Sequence, residues 1–183
     1  MADVPRHSVS VTGVVFRDDG RVLAIQRDDD GRWVPPGGVL ELDETPPDGV
    51  TREVLEETGI KIHADELTGV YKNMKLGVVT LAFRCSVISG SSHPTDEAKQ
   101  VAWLTVDEAM EAMPEARAIR VTDALSSAGP FVRAHDGTHL LLQVSLQLQG
   151  RTFGAPGLTA RREPRETGAA NRAGEMSGQS GPP

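Results

Sequence analysis

Apolar and polar positions along this chain follow two periods, and the switches between them lay out its elements. Residues 8–16 (SVSVTGVVF) are rich in β-formers, and residues 21–26 (RVLAIQ) repeat that character after the turn Asp18-Asp19-Gly20, which predicts a hairpin. Gly13 inside the first run marks a close approach or a bulge. Asp28-Asp29-Asp30-Gly31 is a second polar turn; it lacks the alternating acids and distal Glu of a calcium-binding loop. Residues 33–38 (WVPPGG) carry too much Pro and Gly to be regular. A helix follows, capped by Thr45, opening on Pro46 and Pro47, running to Thr58 and stopped by Gly59. Short strands are predicted over 60–64, 67–73 and 100–104, and a half-buried one over 77–88. Thr105 starts a helix over 106–113 with Glu108 in capping-box position, and Ala118, Ile119, Val121 and Leu125 give the stripe of an amphipathic helix over 115–126. Residues 139–148 (HLLLQVSLQL) are β-like after the turn His135-Asp136-Gly137.

Strands mixed with a few helices predict an α/β (α+β) domain, and no internal repeat interrupts it. The domain is expected over 1–148. From there on Gly, Pro, Arg, Glu and Ser dominate, with too little apolar surface to offset ordering entropy, so 149–183 is expected to be a disordered tail. Aromatic residues make up only 4% of the chain, so aliphatic and small side chains must fill the core.

Charge is unevenly spread. The chain carries −7 overall, and the segment from Arg151 holds five Arg against three Glu, which leaves −9 on residues 1–150. A domain this acidic argues against a nucleic-acid polymer as partner, since neutralising phosphates needs a basic face. It is compatible with gathering divalent cations, although solubility is the more general cause of such a charge. Cys85 is the single cysteine and reads as a small buried hydrophobe, so neither an internal disulfide nor a cysteine metal cluster can form. The five histidines show no metal-ligand spacing, which sets zinc aside. With no apolar run of about 18 residues and no basic-then-apolar start, a cytoplasmic protein without a membrane partner is expected.

The helix over 46–58 contains Arg52-Glu53-Val54-Leu55-Glu56-Glu57. At about 100° per residue, Glu53, Glu56 and Glu57 share an arc of roughly 100°, while Val50 and Val54 lie on an adjoining face able to anchor the helix on a sheet. Carboxylates this close disfavour joint ionisation, and a hard divalent cation with oxygen ligands would relieve them. Magnesium keeps coordination positions for water and phosphate oxygens, which suits cleavage of phosphate esters and anhydrides. An isolated acidic face is more often merely solvated; the surroundings of this one argue otherwise.

Residues 38–60, GVLELDETPPDGVTREVLEETGI, resemble the Nudix box, G-x5-E-x7-R-E-U-x-E-E-x-G-U with U aliphatic. Gly38, Glu44, Arg52, Glu53, Val54, Glu56, Glu57, Gly59 and Ile60 fill every specified position, and the chain is identified as similar to MutT-like members of that family over about residues 8–125. The resemblance implies an α/β/α sandwich around a central mixed β-sheet and magnesium-dependent hydrolysis of a phosphoanhydride bond in a nucleoside diphosphate derivative. Manganese is an accepted substitute, and a homodimer is compatible with the family. Glu53, Glu56 and Glu57 match its metal-binding carboxylates, Gly38 the glycine whose carbonyl can approach the metal, and Arg52 the arginine that positions a carboxylate. Glu44 and Gly59 match positions with a structural role. Gly49 stands where the family often has a small residue, at some cost to the helix start.

Outside the box, Glu97, with Asp96 beside it, precedes the strand over 100–104 where many relatives carry an assisting acid. Glu97 is a candidate catalytic base or metal ligand, and otherwise a loop carboxylate. Trp33 and Arg27 are the substrate-binding candidates: Trp33 stacks on a base or packs at the mouth of the site, with packing favoured, and Arg27 can meet phosphates, as can Lys72 and Lys75. Trp103 reads as core. The most compatible substrate is a nucleoside triphosphate, deoxy or ribo. ADP-ribose and nucleotide sugars stay open, although no proline occurs between Lys61 and His93, where ADP-ribose enzymes often carry one. Tyr71 is a weak pointer to dinucleoside polyphosphates. A non-catalytic ligand-sensing module is the reading from another class, and the intact box counts against it.

Overall fold

In the computed structural model, which describes residues 4–141, the chain runs β1 (Ser8–Phe16), β2 (Val22–Arg27), β3 (Trp33–Val34), α1 (Pro46–Thr58), β4 (Ile60–Asn73), β5 (Val78–Gly90), β6 (Ala98–Leu104), α2 (Val106–Ala112), α3 (Glu115–Leu125) and β7 (Phe131–His135). These strands form one mixed sheet in the order β3-β2-β1-β5-β4-β7, with β6 also paired to β2. β1 lies parallel to β5 and β4 parallel to β7; the remaining pairings are antiparallel.

Alternation along the strands builds the layers. Val11 and Val15 of β1 pack with Leu23, Ile62 and Cys85 against Val50 and Val54 of α1. Val14, pointing the other way, joins Val22 and Ala24 against Ala109, Met113, Ala118 and Val121 of the α2–α3 side. The outcome is the α/β/α sandwich with a central mixed sheet. β1 is its middle strand, and both faces of it are covered.

Helix α1 forms where its terminal chemistry requires. The Thr45 hydroxyl accepts the Asp48 N–H, Pro46 and Pro47 occupy the first turn, and Gly59, at φ 74°, closes the helix with its N–H on the Leu55 carbonyl. Both halves of the Thr105–Glu108 capping box are made at α2. Gly49 has a packing reason: a Cβ there would lie 2.7 Å from Leu40 Cδ1 and 2.8 Å from Glu44 Oε1.

Several elements differ from the pattern-based expectation. The strands expected over 60–64 and 67–73 are one continuous β4, whose register shifts at Ala64/Glu66 and Leu67/Gly69 mark bulges rather than a break. Trp33–Val34, expected to be irregular, pairs with β2 as a short edge strand. β7 was not expected at all. On α3 the buried face includes Arg120 and Asp123, whereas Leu125 is 54% exposed, so the assumed apolar stripe is only partly the buried one. Cys85 is buried, and burial pushes its thiol up to about 12. Among the described residues no helix is long and apolar enough to cross a membrane. The apolar run expected over 139–148 lies beyond the described residues from 142 on, as does the tail expected over 149–183.

Candidate functional site

The segment after β3 runs alongside β1 without forming a regular strand. Gly13 donates to the Pro36 carbonyl, Val11 to the Gly38 carbonyl, and Leu40 to the Val9 carbonyl. This places Gly37 and Gly38 in the plane of the sheet, directly beneath α1. The backbone N–H of Gly37 donates to Glu57 Oε2 at 2.7 Å. A Cβ at Gly38 would fall 2.5–2.6 Å from the carboxylate atoms of Glu53. Only glycines let the two acids and the sheet approach this closely. A Cβ on Gly37 would meet the Val11 carbonyl oxygen at 2.2 Å, so that glycine is also needed for the pairing with β1.

Glu53 and Glu57 are the buried acids of α1, at 7% and 5% exposure. Burial raises the Glu53 pKa, partly countered by Arg52. Burial likewise pushes Glu57 up to about 7; the Gly37 N–H opposes this, and the charges of Glu53 and Glu97 add to it. Glu56 is exposed. Arg52 draws the box together: it forks onto Glu44 at 3.0 and 2.8 Å and reaches Glu53 at 3.0 Å, Glu56 at 2.9 Å and the Val39 carbonyl at 3.2 Å. That fork holds Glu44 down to about 2, with the Glu41 N–H assisting. Glu44 thereby ties the loop before α1 to the helix, and Gly59 terminates the helix.

The loop before β6 is tethered to the C-terminal end of α1. Thr95 Oγ1 donates to the Glu57 carbonyl at 3.3 Å, and the His93 N–H reaches the Thr58 carbonyl at 3.2 Å. Glu97 thereby lines a cavity of about 290 Å³ together with Glu57, Arg27, Asp28 and Asp29. Asp96 is exposed and lines neither that cavity nor the larger one on the α3 side.

On the other side of Gly37 and Gly38, toward α3, a cavity of about 500 Å³ opens between Thr12, Val34, Asn73, Arg117 and Arg120, with Arg27 at its rim. Its size suits a nucleoside-sized group. Arg27 faces both cavities and is paired with Asp29 at 2.7 Å. Trp33 packs against the α2–α3 cluster and lines neither cavity. Lys75 lines the larger cavity, paired with Asp136, and Lys72 lines neither. Tyr71 is fully buried with its hydroxyl on Asp123 at 2.7 Å, which removes it as a group that meets substrate. Trp103 packs on the α1-side core, and Arg17 lies over its ring.

The acids fit a hard cation by their chemistry: oxygen donors only, two of them buried and raised in pKa by that burial. Arg52 engages an oxygen of both Glu53 and Glu56, and among the described residues no three acidic, His or Cys side chains converge as a complete metal cage. Gly38's carbonyl, already accepting from Val11, has its second lone pair left. Sequence pattern missed Arg117, Arg120 and Thr12 as cavity residues, because two arginines on a helix carry no local sign of burial. The Gly-Gly pair was the available signal for Gly37.

A family model described as the NUDIX domain matches residues 6–125. A MutT-like protein of Streptomyces ambofaciens is 61% identical over 137 residues, covering 75% of this chain and 89% of that protein. An ADP-ribose pyrophosphatase of Methanocaldococcus jannaschii is 33% identical over 100 residues, covering 51% of this chain and 59% of its own length. In fold, the chain resembles an ADP-ribose pyrophosphatase from Streptococcus suis at a TM-score of 0.60 and 21% identity, over 69% of this chain and 98% of that one. A UDP-X diphosphatase gives a TM-score of 0.63 at 17% identity, over 72% and 69% of the two chains.

Proposed function

The chain belongs to the Nudix family and is a Nudix hydrolase, and from that premise we propose that it cleaves a nucleoside triphosphate, deoxy or ribo, with magnesium as its metal and manganese as a substitute. The observation that carries this reading is the position of Glu53 and Glu57: two buried acids of α1 seated on a Gly-Gly segment whose far side opens into a nucleoside-sized cavity. A diphosphate crossing Gly37 and Gly38 would leave its anhydride bond beneath the acids and one of the groups flanking that bond in the cavity.

Glu53, Glu56 and Glu57, with the carbonyl of Gly38, would hold the cation, which supplies charge neutralisation on the diphosphate and acidifies a bound water. Arg52 sets the carboxylates of Glu53 and Glu56 and so acts as a positioning residue. Glu97, exposed and sharing a cavity with Glu57 on a loop tied to α1, would accept the proton of the attacking water. Arg27, at the boundary of the two cavities, would meet phosphate oxygens in exchange for Asp29.

An ADP-ribose substrate is the second reading, favoured by the name of the Methanocaldococcus jannaschii relative. Both readings are tested by a panel of nucleoside triphosphates, ADP-ribose and nucleotide sugars with magnesium. Triphosphates should release pyrophosphate, and Glu57→Gln should lower the rate by about a hundredfold or more with the far-UV spectrum unchanged. A wild type inactive on the whole panel, or an unaffected variant, overturns the assignment.

A further inference from the structure

The larger cavity is chemically asymmetric. Three of the cations around it are matched by acids: Arg27 by Asp29 at 2.7 Å, Arg32 by Asp30 at 3.6 Å and Lys75 by Asp136 at 3.0 Å. Arg117 and Arg120, on successive exposures of α3 into the same cavity, make no ion pair among the described residues.

Arg120 is 2% exposed. Its Nη1 donates to Thr12 Oγ1 at 2.9 Å and its guanidinium lies 5.0 Å over the Tyr71 ring. Its Nε and Nη2 have no hydrogen-bond partner among the described residues. The acid one turn along, Asp123, is fully engaged, since it accepts both arms of Arg133 at 2.6 Å and the Tyr71 hydroxyl at 2.7 Å. A third donor adds to the pattern. The Gly137 N–H donates to His135 Nδ1 at 3.0 Å, which leaves the ring proton on Nε2, and that atom is buried without a partner among the described residues. Burial lowers the His135 pKa first, and the charges of Arg120 and Arg117 lower it further.

A buried guanidinium without a counter-charge is among the costliest arrangements in a protein. A neutral acceptor would satisfy its N–H groups and leave the charge uncompensated. The free Nε–Nη2 edge is the fork that receives two oxygens of one phosphate or carboxylate. We infer that Arg117 and Arg120 form an oxyanion-binding subsite in this cavity, so that the part of the substrate held across Gly37 and Gly38 from the box carboxylates bears an anionic group, a phosphate or a carboxylate, of its own. The inference rests on the hydrolase reading only for which molecule carries that group. It sharpens the substrate class to nucleotide derivatives with a second, remote anion, and it disfavours those ending in a neutral sugar.

The test uses the full-length protein in EDTA, so that binding at a metal does not contribute. Thermal melts are taken against inorganic phosphate and against acetate, each with chloride at matched ionic strength as control. The wild type should respond saturably to phosphate, and Arg117→Gln and Arg120→Lys should each raise the apparent dissociation constant at least tenfold. A response to acetate of the same strength assigns the subsite to carboxylates, and its absence assigns it to phosphates. No saturable response in the wild type, or an equal one in the variants, overturns the inference. Arg117 is only half-buried, so Arg117→Gln keeps the test decisive even where Arg120→Lys does not fold. With substrate, Arg117→Gln should raise KM tenfold for nucleotides bearing a remote anion and leave kcat in place. A protein that hydrolyses the nucleotide panel without binding phosphate loses the subsite and keeps the hydrolase reading; one that binds phosphate and hydrolyses nothing does the reverse.

Discussion

The seating of α1 on β1 can be measured through Gly13. A Cβ at that position would lie 2.7 Å from Val54 Cγ2, 3.3 Å from Val50 Cγ2 and 3.6 Å from Cys85 Sγ. A valine in a helix holds essentially one rotamer, so Val54 cannot turn aside. Gly13→Ala should therefore cost about 2 kcal/mol, within the range of overpacked cores. Val54 is fully buried; Val54→Ala removes two methyl groups, about 1.6 kcal/mol of transfer energy and roughly 2–3 kcal/mol once the cavity left behind is included. In the double variant the new methyl occupies vacated space and the closest clash is gone. Adding Gly13→Ala to Val54→Ala should then change stability by less than about 0.5 kcal/mol, a coupling of about 2 kcal/mol between the two sites. Urea denaturation of the four proteins measures it. Because Glu53 and Glu57 ride on the same helix, Gly13→Ala should also lower hydrolysis, and the double variant should recover part of it. Costs that simply add, with the double variant roughly 4–5 kcal/mol below wild type, would refute this account of how α1 is placed.

Gly38→Ala puts a methyl within 2.6 Å of the Glu53 carboxylate carbon, so hydrolysis should fall about tenfold or more while the urea midpoint moves little; full activity would show that Glu53 can yield without consequence. His135, held neutral with its pKa lowered to about 4 by burial and then by Arg120 and Arg117, titrates below its unfolded value of about 6.5. Between those values the unfolded chain binds more protons, so this stabilisation is complete above about pH 6.5, is lost as pH falls through about 4, and amounts to roughly 3 kcal/mol at most. An NMR titration that places His135 near 6.5 would contradict it. We also propose residues 1–148 as the hydrolase domain. Deleting everything after Gly150 should leave the melting temperature in place, and a drop beyond about 4 °C, on the order of 1 kcal/mol, would make the remainder part of the fold.

Much of this molecule was legible along the chain because the relevant physics is local. Thr45, the two prolines and Gly59 bound α1 by satisfying or dispensing with terminal backbone groups within four residues of themselves, and Thr105 with Glu108 does the same for α2. The acids of the box share a helix face by spacing alone, so their juxtaposition needed no tertiary information. The β-formers of residues 8–16 likewise announced a strand, and Gly13 within them a close approach.

Tertiary structure decided what depends on distant partners. β7 is too short and mixed to announce itself, and it exists by pairing with β4 and by the Arg133–Asp123 fork. Glu53 and Glu57 differ from Glu56 in burial because the Gly37–Gly38 segment, brought in by β1, closes over one side of the helix and leaves the other in water. Arg120 could be recognised as buried and unpaired only once Thr12, Tyr71 and Asp123 were seen around it. The sequence by itself determined the helix and its acids, since spacing and capping act within a turn. Which acids are desolvated, and what stands across the glycines from them, follow from contacts between residues far apart in the chain.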